Sequence, residues 1–156
     1  MSRRVVLCAA LVLVLASAVS AGERTLESYM ELMRADLRTA KVAIISEVMQ
    51  FSDEDSEVFW PIYREYALEI EKLNDEALYL IREYLAGYGE HSDKDAEKLL
   101  KKRFGIDKRQ IAIEEKYFRK MNRILPTKTV VKFFQLEHTL NLLIDLQIAA
   151  ELPFIE

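Results

Sequence analysis

The stretch Gly87-Tyr88-Gly89-Glu90-His91-Ser92-Asp93-Lys94-Asp95 decides the fold of this chain. Two glycines within three residues predict a loop. Ser92 and the acids after it predict a helix start, because a serine oxygen accepts from free backbone N–H groups and carboxylates suit the positive helix end. Helix-like patterns extend on both sides of this short loop, so the two helices must lie antiparallel. The sequence therefore predicts a long helical hairpin.

The helix before the loop is predicted to begin after Ser52, where three consecutive acids repeat the start signal, and to run to about Ala86. Pro61 lies inside it and predicts a kink near residues 57–60, because proline removes an amide donor and crowds the preceding turn. The apolar residues recur at helical spacing and predict one buried stripe. They are Phe59, Ile62, Tyr66, Ile70, Leu73, Ala77, Leu80 and Tyr84.

The helix after the loop is predicted to end near Ile124, before Pro126, and a further helix to span about Thr127 to Ala150. The residues expected inward on the former are Leu100, Phe104, Ile111, Phe118, Met121 and Leu125. Those on the latter are Val130, Phe133, Leu136, Leu140, Leu143 and Ile148. A first helix is predicted over Leu26 to Met49. The fold class is therefore all-α, an elongated antiparallel hairpin with flanking helices, about four in all.

Charge is divided unequally between the two hairpin helices. Residues 53–86 contain ten acids and three bases, whereas residues 93–125 contain six acids and eleven bases. Antiparallel packing brings these charges together along the rims, so interhelical ion pairs are expected. The alternative is a basic surface that attracts acidic partners or lipid headgroups. Its residues would be Lys98, Lys101, Lys102, Arg103, Lys108 and Arg109.

Residues 1–21 have the pattern of a cleaved export signal. Arg3 and Arg4 precede an apolar run over residues 5–16, and small residues over 18–21 precede Gly22. The apolar run is too short to span a bilayer, which takes about 20 residues. We therefore expect a periplasmic or secreted protein whose mature part, residues 22–156, is one helical domain. Its single cysteine, Cys8, would leave with the signal.

The mature chain shows no sign of catalytic or cofactor chemistry. Losing two of the 22 bases and none of the 26 acids leaves a net charge of −6, which argues against nucleic-acid binding. No nucleophile and base have catalytic spacing, so we expect neither an enzyme nor a cofactor. Glu137 and His138 are adjacent and point about 100° apart on a helix, so they do not converge on a metal. His91 stands in an acidic loop, where a solvated turn is expected rather than a metal site.

Aromatic residues are concentrated in Phe59-Trp60-Pro61-Ile62-Tyr63-Arg64-Glu65-Tyr66 and in the pair Phe133-Phe134. Four aromatic rings in eight positions cover more of a helix than one buried stripe requires. We consider two interpretations, packing in the core and a surface for clients or partners, since tyrosine and tryptophan suit both. The candidate surface consists of Phe59, Trp60, Tyr63, Tyr66, Phe133 and Phe134.

Two short segments resemble the repeated Leu-Thr-x-x-Gln signature of the Spy/CpxP-type periplasmic proteins. The first is Phe51-Ser52-Asp53-Glu54-Asp55 and the second is Ile124-Leu125-Pro126-Thr127-Lys128-Thr129. The positions that correspond to the signature are Phe51, Ser52, Asp55, Leu125, Thr127 and Thr129. Asp55 and Thr129 stand where the signature has glutamine, and the aromatic segments are typical of a divergent subgroup.

The resemblance implies an ATP-independent periplasmic chaperone. The residues support this independently, because long amphipathic helices with little interior leave apolar surface for clients or a second copy, and we expect a homodimer. A sensor or adaptor that docks on one envelope partner is the alternative. A metal-responsive protein is a third hypothesis, for which the chain offers few ligands.

Overall fold

The computed structural model describes residues 40–154, which form helices and no strands. They comprise α1 (residues 40–49), α2 (Asp53–Ala86), α3 (Asp93–Met121) and α4 (Thr127–Glu151). The all-α prediction is confirmed. The predicted export signal and the predicted start of the first helix lie outside the described residues. No described helix is both long and apolar enough to cross a membrane.

A boundary after Glu47 divides the described residues into two units. In the first unit, residues 40–47 are helical, and the Ser46 hydroxyl donates to the Val42 carbonyl (2.9 Å). The second unit begins at Val48 and contains α2, α3 and α4 in full.

Both helix starts of the hairpin are capped as predicted. Ser52 Oγ accepts from the N–H of Asp55 (3.1 Å), and Ser92 Oγ accepts from the N–H of Asp95 (3.3 Å). Asp95 returns the interaction by accepting from the Ser92 N–H (3.2 Å), which completes a capping box. In the loop between the helices Gly89 has a φ of 78°, a conformation that favours glycine.

The helix ends agree with the sequence at α2 and α4 and differ at α3. α2 continues through Pro61 to Ala86. α3 ends at Met121 rather than near Ile124. The N–H groups of Ile124 and Leu125 both turn back to the Met121 carbonyl (3.1 and 2.9 Å), which closes the helix before Pro126.

Four ion pairs join α2 to α3. The acids on α2 are spaced by four, seven and seven residues, and their basic partners on α3 follow the same intervals in reverse. The two helices are therefore antiparallel in one continuous register, and the predicted interhelical pairing is confirmed. The pairs are Glu65–Lys120, Glu69–Lys116 (2.6 Å), Glu76–Arg109 (2.6 Å) and Glu83–Lys102 (2.5 Å). We call these four ion pairs the ladder. Because exposed pairs contribute little stability individually, the main effect of the ladder is to select the register of α3 against α2.

The seam between α2 and α3 is apolar. On α2 it buries most of the predicted stripe, and on α3 it buries Ile106, Tyr117 and Met121. The prediction that Leu100, Phe104 and Ile111 face inward is wrong, since all three are more than half exposed. α3 has two apolar faces, and the one with Tyr117 turns to α2.

Tyr117 also makes a polar contact at the seam, because its hydroxyl donates to Glu69 Oε1 (2.8 Å). Burial and the bond to Glu69 raise the pKa of the Tyr117 hydroxyl. The contact adds to the ladder in selecting which face of α3 is turned to α2.

Two hydrogen bonds place α4 alongside α2. The Tyr66 hydroxyl donates to Glu137 Oε1 (3.1 Å), and the Tyr84 hydroxyl donates to the Pro153 carbonyl (2.8 Å). The later residue of α2 bonds to the later residue of the α4 segment, so α4 runs parallel to α2. It is therefore antiparallel to α3. Near the start of α4, Lys132 donates to the carbonyl of Val48 (2.6 Å), the first residue of the second unit.

A matched pair of glycine substitutions tests the packing of the hairpin. In Gly105→Ala the new methyl group meets nothing within 4 Å, so we expect the free energy of unfolding to rise by about 1 kcal/mol. In Gly87→Ala the methyl group would lie 2.5 Å from Cε1 of His91, so we expect it to fall. Urea unfolding followed by circular dichroism measures both, and destabilisation by Gly105→Ala would contradict the open site seen at this position.

The ladder predicts an acid-sensitive stability. Hydrogen bonds from Arg109 and Lys102 hold the pKa values of Glu76 and Glu83 below the ordinary 4.5. A carboxyl group whose pKa is lowered by folding stabilises the fold above its unfolded pKa, and this stabilisation is lost as the pH falls through the folded pKa. We therefore expect the urea concentration at the unfolding midpoint to decrease as the pH is lowered below about 4.5.

The double variant Glu76→Gln/Glu83→Gln should show a shallower fall, since neither position then titrates. Glu115→Gln is the control, because Glu115 pairs with Arg119 on its own helix. An unchanged acid profile in the double variant would count against a contribution from the ladder.

Candidate binding surface

The six aromatic residues predicted as a client surface lie mostly in the core. Phe59, Tyr63, Tyr66 and Phe133 are buried, whereas Trp60 and Phe134 are partly exposed. The interpretation as core packing, which the sequence left open, therefore describes four of the six.

These rings join α4 to the hairpin. The Phe133 ring centroid lies 5.1 Å from that of Phe59 and 6.0 Å from that of Tyr66, in edge-on geometry. Phe134 contacts Tyr66 (6.0 Å) and also Phe118 of α3 (6.1 Å). Such edge-on pairs add to the stabilisation from apolar burial. The aromatic segment of α2 thus serves as the docking site for α4.

A buried carboxylate lies beside the aromatic rings. Glu137 is 1% exposed and accepts the hydrogen bond from Tyr66. Burial, and then the charge of Glu137, raise the pKa values of the Tyr63 and Tyr66 hydroxyls. The sequence suggests Glu137 only as a candidate metal ligand. Its spacing from Val130 and Phe133, seven and four residues, matches the buried stripe and would have located it.

An exposed apolar row runs along α3. We define the α3 row as Leu100, Phe104 and Ile111, all more than half exposed. Intervals of four and seven residues put them on one face of a helix. Phe118 lies seven residues further along the same face and contacts Phe134 of α4. The α3 row therefore lies on the same face of α3 as Phe118, the residue at which α4 contacts this face.

A second exposed apolar set lies on α4. We define the α4 patch as Leu142, Leu143 and Leu146, which are also more than half exposed. The prediction that Leu143 lies on the buried stripe is therefore wrong. Between Glu137 and Glu151 the only Asp, Glu, Lys or Arg in α4 is Asp145. Depletion of charge around exposed leucines is typical of an interface centre.

The α3 row and the α4 patch lie at the same level of the second unit. α3 and α4 are antiparallel, and Phe118 contacts Phe134. Counting back along α3 and forward along α4 from this contact places Ile111 level with Leu142 and Phe104 close to the level of Leu146. Apolar patches of more than a few hundred Å² are typical of interaction sites.

Charges near the α3 row are largely paired within α3. The pairs are Lys101–Glu97 (2.5 Å), Arg103–Asp107 (2.9 Å) and Arg119–Glu115 (3.3 Å). Together with the ladder, these pairs engage four of the six bases proposed for a basic surface, namely Lys101, Lys102, Arg103 and Arg109. The structure thus favours pairing over an open basic surface at these four positions.

A groove of about 610 Å³ opens between α2 and α3 at Gly105. Gly105 has no side chain to fill it, and two rungs of the ladder, Glu76–Arg109 and Glu83–Lys102, flank it. Leu80, Ile106 and the exposed Tyr79 also line this groove.

The six positions compared with the Leu-Thr-x-x-Gln signature lie at or just before the starts of α2 and α4. Ser52 caps α2 through Asp55, and the Phe51 ring packs 4.3 Å from that of Phe59. Leu125, in the connection between α3 and α4, is buried. Thr127 and Thr129 lie in the first turn of α4. These residues build helix starts.

The two histidines have different surroundings. His91 stacks on Tyr84 (5.6 Å between ring centroids) and places Nε2 2.8 Å from the Tyr84 carbonyl. A carbonyl only accepts, so Nε2 carries the hydrogen. His138 is exposed beside the buried Glu137, so the two diverge as expected. Residues 40–154 contain no group of three or more His, Cys, Asp or Glu side chains arranged to hold a metal ion.

No family model, curated protein or solved structure matches this chain.

Removing the Tyr66 hydroxyl should destabilise the protein. Tyr66→Phe keeps the ring but takes a hydrogen-bond donor from the buried Glu137, so we expect a loss of about 1–3 kcal/mol in the free energy of unfolding. Tyr79→Phe makes the same chemical change at a side chain that is 68% exposed and should stay within about 0.5 kcal/mol of wild type. Equal effects of the two changes in urea unfolding would contradict the proposed role of this hydrogen bond.

Proposed function

We propose that this protein is an ATP-independent, chaperone-like protein of the periplasm that binds apolar segments of non-native proteins. Its binding surface is the α3 row together with the α4 patch. The observation that carries the proposal is that six large apolar side chains on these two helices are more than half exposed. Burial of such side chains against a client is favourable by about 25 cal/mol per Å² of apolar area and needs no nucleotide.

The composition of the surface supports loose client binding over a fixed partner. A fixed partner is typically held by aromatic anchors at the centre of an interface. Here four of the six candidate aromatic residues are buried in the core, and five of the six residues in the row and patch are aliphatic. Aliphatic surface is less demanding in geometry than aromatic surface and suits clients of varied sequence.

Surface charge supports reversible binding. The ion pairs on α3 lie on the same helix as the row, and charged groups beside an apolar face keep the protein in solution while the face stays available. Self-association would compete for the same apolar surface, and a homodimer formed there would be weakened by the substitutions that weaken client binding.

Suppression of client aggregation tests the proposal. The purified protein in stoichiometric excess should lower light scattering from several aggregating clients. Leu143→Ser/Leu146→Ser should need at least about a threefold higher concentration for the same suppression, since each leucine contributes on the order of 1 kcal/mol when covered.

The control is Leu68→Ser/Tyr79→Ser on α2. Leu68 and Tyr79 are 58% and 68% exposed, and Leu143 and Leu146 are 57% and 68% exposed, so both double variants remove similarly exposed apolar groups. The control should retain wild-type suppression. Absence of suppression by the wild-type protein for every client would refute the proposed function, and equal loss in both variants would refute the proposed surface.

A further inference from the structure

The two halves of α4 are covered to different extents. Its buried residues, Val130, Phe133 and Glu137, all lie in the first half. No residue from 138 to 151, the distal half, is buried. Segments with few buried side chains open locally at low free energy, while the rest of a fold stays intact. The distal half is therefore the part of α4 that opens most readily.

One hydrogen bond fastens the chain just beyond this distal half. The Tyr84 hydroxyl, in the last turn of α2, donates to the carbonyl of Pro153 (2.8 Å). Pro153 lies two residues after the end of α4, and its ring fixes φ, which restricts the path of the backbone there. The bond thus joins the end of α4 to the end of α2.

The donor in this bond is held in place by the hairpin loop. The Tyr84 ring stacks on His91 with an angle of 10° between the planes, and Tyr88 contacts it edge-on (6.1 Å). His91 in turn donates to the backbone carbonyl of Tyr84 (2.8 Å). A donor positioned in advance loses less conformational entropy when it bonds.

The distal half lies level with a buried leucine of α2. The Tyr66–Glu137 and Tyr84–Pro153 bonds set the register, which places Leu78 at the level of Ile148. Leu78 is buried and Ile148 is partly exposed. Movement of the distal half away from the rest of the second unit would therefore expose more of Ile148.

We propose that the Tyr84–Pro153 hydrogen bond is a latch that holds the distal half of α4 closed. On release, the distal half opens about the anchor formed by Tyr66, Glu137 and the aromatic rings, and it uncovers the face of the distal half that contains the partly covered Ile148. The uncovered face binds an apolar segment of a non-native polypeptide. This last step rests on the proposed function, whereas the latch does not.

Hydrogen–deuterium exchange of the purified protein tests the latch. Tyr84→Phe removes the hydroxyl and keeps the ring that stacks on His91. We expect amides in residues 138–151 to exchange roughly three- to tenfold faster than in wild type, the change that corresponds to losing one hydrogen bond. Amides in residues 127–137 and in α3 should keep their rates. Circular dichroism should show an unchanged helix content.

Tyr79→Phe serves as the control, since it removes a hydroxyl from the exposed face of the same helix and should leave exchange unchanged. Unaltered exchange over residues 138–151 in Tyr84→Phe would overturn the latch, as would faster exchange spread evenly over α2 and α3.

Aggregation assays on the same variants separate the two proposals. If the latch opens a binding face, Tyr84→Phe suppresses aggregation at a lower concentration than wild type. Localised faster exchange without any suppression by either protein would sustain the latch and refute the proposed function.

Discussion

α3 has two apolar faces, and the rest of the structure depends on which of them turns toward α2. One face contains Ile106, Tyr117 and Met121, and the other contains the α3 row and Phe118. Burial alone does not distinguish them, because both offer large apolar side chains. The ladder of ion pairs and the Tyr117–Glu69 hydrogen bond are satisfied in only one rotation of the helix. Exposed ion pairs, each weak, and one partly buried hydrogen bond thus decide between two choices of similar apolar burial.

This choice fixes the position of α4 and the character of the surface. With Tyr117 facing α2, Phe118 lies on the flank where it meets Phe134, and the aromatic rings of α2 are free to pack against α4. Four of the six rings that the sequence offered as a client surface are buried in the core. The side chains of the α3 row and the α4 patch stay exposed, and they form the proposed binding surface.

A buried polar contact gives α4 a unique orientation. The helix is apolar on most of its circumference, so apolar packing would tolerate several rotations. Glu137 can be buried only where Tyr66 donates to it, because an ionisable group away from water requires a hydrogen-bonding partner. The first half of α4 is fixed in this way. The second half contains no buried residue, which is the physical basis of the difference between the halves, and the Tyr84–Pro153 hydrogen bond lies just beyond its end.

Local chemistry determined much of the fold from the sequence. Ser52 and Ser92 fix two helix starts because a cap depends on only a few neighbouring residues, and the loop around Gly89 fixes the antiparallel hairpin because a short connection permits no other arrangement. The unequal charge of the two helices also sufficed to predict that ion pairs would join them. Acids on α2 and bases on α3 that recur at the same intervals can all pair in one antiparallel register.

The tertiary structure alone decided which apolar residues are buried. Periodicity reports that Leu100, Phe104, Ile111 and Leu143 lie on apolar faces, and it cannot rank two such faces on one helix. That ranking depends on partners far away in the chain, such as Glu69 for Tyr117 and Tyr66 for Glu137. The binding surface proposed here is the apolar area left over from that competition, and it follows from packing between helices rather than from any one segment.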